Sequence, residues 1–155
     1  MMSTSDRIKL VSQNRKARHD YHIQETIEAG LVLTGPEVKS LRLGRANLKD
    51  SYAQPKSGEL FLHQVHISPY ENSPLGDQDP TRTRKLLLHQ HEIRRLAGKI
   101  QEKGLTLIPL RLYFRGGKAK IELALAKGKK SYDKRETIRK RDLEREAEQS
   151  IRQKR

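Results

Sequence analysis

The chain has 155 residues, of which 34% are hydrophobic, less than a fully packed domain of that length carries, so part of it is not expected to fold by itself. Lysine and arginine number 33 against 19 acids, a net charge of +14 whose self-repulsion a polyanion would neutralise, and nucleic acid is the leading candidate. The absence of cysteine excludes disulfides, thiolate zinc sites and cysteine nucleophiles; no run approaches a membrane span, and MMSTSDRIKLVSQ lacks the apolar core of a secretory signal, which predicts a cytoplasmic protein.

Residues 1–12 are expected to be a flexible N-terminus. A first basic cluster follows, Asn14-Arg15-Lys16-Ala17-Arg18-His19, which contains nothing a core would use. Tyr21, Ile23 and Ile27, then Leu31 and Leu33, recur with the period of half-buried strands, and Glu28-Ala29-Gly30 reads as a turn between them. Thr34-Gly35-Pro36-Glu37 starts a helix, with proline at the favoured first position and an acid at the positive dipole end; Gly44 ends it. Val38 and Leu41 share one face of that helix, and Lys39 and Arg42 an adjacent one.

Pro55-Lys56-Ser57-Gly58 is a hairpin signal before the strand holding Leu60 and Leu62. A loop rich in proline, glycine and aspartate begins near Pro69 and ends in a second basic cluster, Arg82-Thr83-Arg84-Lys85. Ile93, Leu96, Ala97 and Ile100 then mark a helix from about Glu92 to Lys103, closed by Gly104. In the run Leu105 to Phe114 the apolar phase slips between Leu107 and Ile108, and with Pro109 present this predicts a bulge or an edge position. Gly116-Gly117 turns the chain into the strand of Ile121, Leu123 and Leu125. Short strands with two or three short helices predict a mainly β domain over residues 13–127, a small barrel of the OB type.

Apolar residues then stop recurring. Residues 127–155 carry 12 basic and 6 acidic side chains, and Tyr132, Ile138, Leu143 and Ile151 are the large apolar ones left, too few to offset the entropy of ordering. The basic tail of residues 128–155 is therefore expected to be disordered when free. Glu136 four before Lys140 and Glu148 four before Arg152 favour a helix once a partner supplies a surface.

A third basic cluster, Lys127 to Arg135, sits at this junction. Any one cluster could be a solvated charge run; three on one chain point to the backbone of a folded RNA, with arginine gripping phosphates in pairs of hydrogen bonds. Lys39, Arg42, Arg82, Arg84, Lys85 and His19 are counted with that cationic set. At 5% aromatic content a stacking platform for single strands is disfavoured, and Tyr21, Tyr52, Tyr70, Tyr113, Phe61 and Phe114 read as core or rim. Tyr132, with nothing apolar beside it, reads as a stacking residue. His63 and His66 are expected on opposite faces, and His89 and His91 to be separated by a helix start, so no metal site, cofactor or hydrolytic centre is predicted. Glu25, Glu28 and Glu37 read as helix-cap, turn or base-edge groups. A ribosomal protein or assembly factor, and an RNA-processing nuclease, are the rival classes.

Four segments then acquire a sharper meaning. Asn14 to Tyr21, Gly35 to Arg42, Asp79 to Leu88 and Gly128 to Arg135 resemble, in order and spacing, the signature segments of the bacterial SsrA-binding protein (small protein B) family. The resemblance implies an OB-like barrel that binds the tRNA-like domain of transfer-messenger RNA and delivers it to ribosomes stalled without a stop codon. It implies an RNA face made of Asn14, Arg15, Lys16, Arg18, Tyr21, Glu28 and the segment Leu87 to His89. Gly128, Lys129, Lys130, Asp133, Lys134 and Arg135 are implied to begin a tail that becomes helical in the vacant mRNA channel of the small subunit, near the decoding centre of its A site. Tyr132 stands where many relatives carry histidine, which keeps an aromatic ring but not an imidazole. No membrane partner is implied, and the free protein is expected to be monomeric.

Overall fold

The computed structural model describes residues 7–70 and 79–128. Its elements run in the order β1 (Ile8–Gln13), α1 (Arg15–Asp20), β2 (Tyr21–Leu31), α2 (Gly35–Arg42), β3 (Ala46–Asn47), β4 (Tyr52–Lys56) and β5 (Glu59–His63). Then come β6 (His66–Ile67), β7 (Arg84–Leu87), α3 (Gln90–Lys103), β8 (Thr106–Arg115) and β9 (Lys118–Gly128).

The antiparallel pairings close on themselves: β8 pairs with β9, β9 with β2, β2 with β7, β7 with β5, β5 with β4, and β4 returns to β8 through Ala53 opposite Leu107. The mainly β domain is thus a ring of strands, and closure removes the open edges that would invite aggregation. The outer edge of β8 is shared, with β4 at its start and β1 along Arg111 to Arg115. Ile8 to Ser12, expected to be flexible, therefore belong to a strand; their register places exposed Ile8 and Leu10 on an edge that local sequence alone does not stabilise.

Strand β9 shows why the wall is one layer with a patch on its back. Ile121, Leu123 and Leu125 point into the barrel, where they meet Leu60, Leu62, Leu86, Leu107 and Leu112. Ala124 and Ala126 face outward and are also buried, together with Ile108, Leu110 and Ala17, because α1 lies across them. Small side chains let the helix approach this closely. Ala17 is thus a core residue of a second cluster, 2% exposed, in a stretch read as holding nothing a core could use.

The bulge at Pro109 is present, but the phase changes at Leu110, between Pro109 and Arg111, and not between Leu107 and Ile108. Ile108 and Leu110 are both buried on the outer face under α1, and the extra residue then returns Leu112 and Phe114 to the barrel interior. Asn14 fixes the site from outside, its N–H donating to Leu110 O at 2.7 Å and its Nδ2 to Pro109 O at 3.2 Å.

Helix α2 forms as its sequence dictates. Thr34 and Glu37 exchange side-chain-to-backbone bonds in a capping box, Glu37 Oε1 accepting from Thr34 N at 2.9 Å. Helix α3 starts at Gln90, two residues before the expected position, and seats Ile93 and Leu96 on the barrel end. Helix α1 was not expected; at six residues it is held by the cluster beneath it and not by propensity. The hairpins at Ser57-Gly58 and Gly116-Gly117 are formed, the latter with φ of 57° and 79°, positive values at both central positions that fit the twist of the flanking strands. Glu28-Ala29-Gly30 is not a turn: it lies inside β2, where Gly30 pairs with both Lys120 and Leu87 as the strand passes from β9 to β7. A Cβ on Gly30 would stand 3.2 Å from Leu87 Cβ, so the glycine serves a close approach of strands.

Candidate nucleic-acid interface

Cations surround the barrel, but their surroundings divide them. On α1, Arg15, Lys16, Arg18 and His19 are exposed, and none of the first three makes an ion pair among the described residues. With Asn14, Tyr21, Asn47 and Lys49, Arg15 and Lys16 line a cleft of about 430 Å³ between α1 and the residues after β3. Tyr21, which lines this cleft, is paired with Gly128, so β9 ends beside it. Lys129, Lys130, Tyr132, Asp133, Lys134 and Arg135 lie outside the described residues.

The second cluster splits. Arg84 is 1% exposed and lies inside the molecule, its Nε donating to Glu37 Oε2 at 2.6 Å, Nη1 to Val65 O at 2.7 Å and Nη2 to Pro80 O at 3.0 Å. Every guanidinium nitrogen is engaged, so Arg84 has nothing left to offer a phosphate and is removed from the RNA-binding set. Arg82 joins the same hub, its Nε donating to Glu37 Oε2 at 3.1 Å and its Nη2 to Glu37 Oε1. Burial pushes the Glu37 carboxyl up, but hydrogen bonds from Arg82 and from the Thr34 N–H, with the charge of Arg84 beside it, outweigh burial and hold it below the ordinary value. The hub joins α2 to β7 and the segment before it, a structural role. Lys85 points outward to an exposed pair with Glu59 at 2.9 Å, and remains available to solvent.

On α2, Lys39 Nζ lies 5.4 Å from the centroid of Tyr70 and the Arg42 guanidinium 5.6 Å from that of Phe114, with both residues exposed. Glu28 meets Leu87 and His89, from which it is distant in sequence: they line one depression of about 430 Å³ with Gly30, Leu88 and Lys120. Leu87 is 53% exposed there, an outward strand position with no core to fill. His89 and His91 are not separated by the helix start; their rings stack at 5.6 Å. His63 stacks instead on exposed Tyr52 at 5.0 Å.

Sequence reasoning missed the outer face of β8. Arg111, Tyr113 and Arg115 alternate outward, and Tyr113 lies between the two guanidiniums, 5.3 and 5.8 Å from its centroid. Tyr113 Oη donates to Glu28 Oε1 at 2.6 Å across β9, and Arg115 Nε donates to the same oxygen at 2.8 Å. Burial, then the bond to Glu28, push the Tyr113 hydroxyl up to about 12. Glu28 stands opposite Glu122 across the β2–β9 ladder, a like-charge pairing relieved by Arg115 on one acid and Arg111 on the other. The period-two run Arg-x-Tyr-x-Arg was the available signal; its partner on β2 depends on a register that sequence does not give.

A closed β-ring that carries exposed cations around its outside, with Arg15 and Lys16 lining one cleft and a basic extension following its last strand in sequence, defines a small cationic barrel of the nucleic-acid-binding class. Comparison with known proteins narrows that class. A family model described as SmpB protein matches residues 11–153. SsrA-binding proteins of Acetivibrio thermocellus (59% identical), Caldicellulosiruptor bescii (60%) and Syntrophobacter fumaroxidans (61%) align over 94, 94 and 93% of this chain and 94, 92 and 89% of their own. A solved chain described as "tmRNA-SmpB: a journey to the center of the bacterial ribosome" superposes with a TM-score of 0.64 at 55% identity, covering 76% of this chain and 83% of that one. The chain belongs to the SmpB protein family.

Proposed function

We propose that the protein binds the tRNA-like domain of transfer-messenger RNA with its barrel and delivers it to stalled ribosomes for trans-translation. The observation that carries this reading is the α1 cluster: Arg15, Lys16 and Arg18 stand exposed, without an acid partner among the described residues, on a helix fixed to the barrel by Ala17. Cations carried on a fixed helix, with donors not taken up by acids among the described residues, suit a folded RNA's phosphates and 2′-hydroxyls, and family membership supplies the identity of that RNA. Asn14, Arg15, Lys16, Arg18, His19 and Tyr21 form one part of the contact, and Glu28, Leu87 and His89 a second. Lys39, Arg42 and Lys85 add cationic surface, while Arg82, held to Glu37 through Nε and Nη2, serves the hub.

The basic tail from Gly128 through Lys129, Lys130, Tyr132, Asp133, Lys134 and Arg135 enters the mRNA channel of the small subunit next to the A site. It takes up helix only where no mRNA occupies the path, which makes it a test of vacancy. The protein works in the cytoplasm as a monomeric binding factor, with no reaction of its own.

Electrophoretic mobility shift against transfer-messenger RNA and an unrelated RNA of equal length tests the assignment. Marked preference for transfer-messenger RNA is expected; equal affinity overturns it. For the tail, Lys134→Ala with Arg135→Ala is expected to leave RNA affinity nearly intact and abolish peptide tagging, and parallel loss in both assays would remove the division of labour.

A further inference from the structure

A carboxylate on an RNA-facing surface repels phosphates, so Glu28 earns a place there only as an acceptor for a donor group. Its surroundings restrict how it can accept. Both donors that reach it, Tyr113 Oη at 2.6 Å and Arg115 Nε at 2.8 Å, end on Oε1. Oε2 receives no hydrogen bond from the described residues, and the side chain is 37% exposed. Burial raises the Glu28 carboxyl, yet the bonds from Tyr113 and Arg115, with Lys120 nearby, hold it below the ordinary value, so it is ionised at neutral pH. Tyr113 itself is 2% exposed and gripped between Arg111 and Arg115, so its hydroxyl is a fixed post and not a swinging one.

We propose that Tyr113 and Arg115 are positioning residues: by occupying Oε1 they lock the Glu28 carboxylate so that Oε2 alone is presented to a base amino, base imino or 2′-hydroxyl donor of the folded RNA. The inference rests on the reading of Glu28 as an RNA contact. A carboxylate with both oxygens free would swivel and could take a bidentate donor, a guanine edge or a stray guanidinium; with Oε1 filled, only the lone pairs of Oε2 remain and a bidentate donor is shut out. The depression it shares with exposed Leu87 and His89 gives that donor an apolar and aromatic wall to lie against. Glu92 and His89 at the start of α3, and Lys120 on β9, are the other titratable groups lining it.

A double-mutant cycle on the full chain, read as the dissociation constant for transfer-messenger RNA, tests this. Tyr113→Phe removes only the hydroxyl and is expected to weaken binding roughly three- to tenfold, in keeping with the loss of one ordering hydrogen bond. In the Glu28→Ala background the same substitution is expected to change nothing. The carboxyl-carbon titration of Glu28, followed by NMR, should move to higher pH in Tyr113→Phe, a response that general loosening of β8 would not give selectively. Arg115→Gln, on the more exposed side of the pair, repeats the test if Tyr113→Phe folds poorly. Wild-type affinity in Tyr113→Phe and Arg115→Gln, or an equal loss with and without Glu28, overturns the positioning role. Wild-type affinity in Glu28→Ala has a different meaning: it removes Glu28 from the RNA face, and the proposal with it.

Discussion

Arg15-Lys16-Ala17-Arg18 and Arg82-Thr83-Arg84-Lys85 each carry three cations, and the fold uses them in opposite ways. In the first run the one uncharged residue, Ala17, is buried and the cations point to water. In the second a cation is the most buried member: Arg84 sits inside the molecule against Glu37 and the carbonyls of Val65 and Pro80, while Lys85 beside it is exposed. The difference lies in the supporting element. A short helix laid on alanines turns a narrow face inward, whereas a strand sends alternate residues to opposite sides, and the inward position of β7 falls beside an acid on α2. Charge density in sequence therefore marks where cations are, and tertiary register decides which of them a ligand can reach.

The sharpest way to break this comparison is to remove the buried partner. Arg84→Met leaves Glu37 buried and half-compensated, and Glu37→Ala strands Arg84, so each is expected to destabilise the fold by about 3–5 kcal/mol. Chemical denaturation with circular dichroism measures it. A loss below 1 kcal/mol would mean that Arg84 is no more structural than a surface arginine.

Smaller effects on stability and larger ones on binding are expected from the other run. Replacing Arg15, Lys16 and Arg18 together with alanine should leave stability within about 0.5 kcal/mol, since the side chains touch solvent. The dependence of log affinity for transfer-messenger RNA on log salt should flatten by about 2 to 3, the share of three phosphate contacts. An unchanged salt slope would move the RNA to another face of the barrel.

How far these roles were legible follows the range of the interactions that fix them. Thr34 and Glu37 lie three residues apart, so their capping box and the start of α2 were readable, as were the turns at Ser57-Gly58 and Gly116-Gly117. Pro109 announced a bulge; its position one step later, at Leu110, depended on α1 covering the outer face. In the alternation Leu123-Ala124-Leu125-Ala126, small residues on one face of the strand mark a close neighbour, which is α1. Arg84 was misassigned because its acid lies 47 residues away, and the Tyr113 bond to Glu28 spans 85. The cations of α1 were legible as charge density, whereas the grouping of Glu28, Leu87 and His89 came from resemblance to a family, which carries register information that periodicity lacks.

Acid separates the two runs a last time, with a smaller effect. The Glu37 carboxyl titrates below its ordinary value of 4.5 in the folded state, so its ionised form is favoured by folding. That contribution is fully present above about pH 4.5 and is lost as pH falls through the depressed folded value, where protonation takes the acceptor from Arg82 and Arg84. Stability measured from pH 6 downward should therefore decline more steeply in the wild type than in Glu37→Gln, whose amide cannot titrate and which starts from a lower plateau. The triple alanine variant of α1 should follow the wild-type slope, because the side chains it removes make no ion pair with an acid among the described residues. Coincident slopes for wild type and Glu37→Gln would show that acid sensitivity comes from elsewhere, with Glu28, held down by its bonds from Tyr113 and Arg115, and Glu25, held down by Lys99 and Arg95, the next to replace.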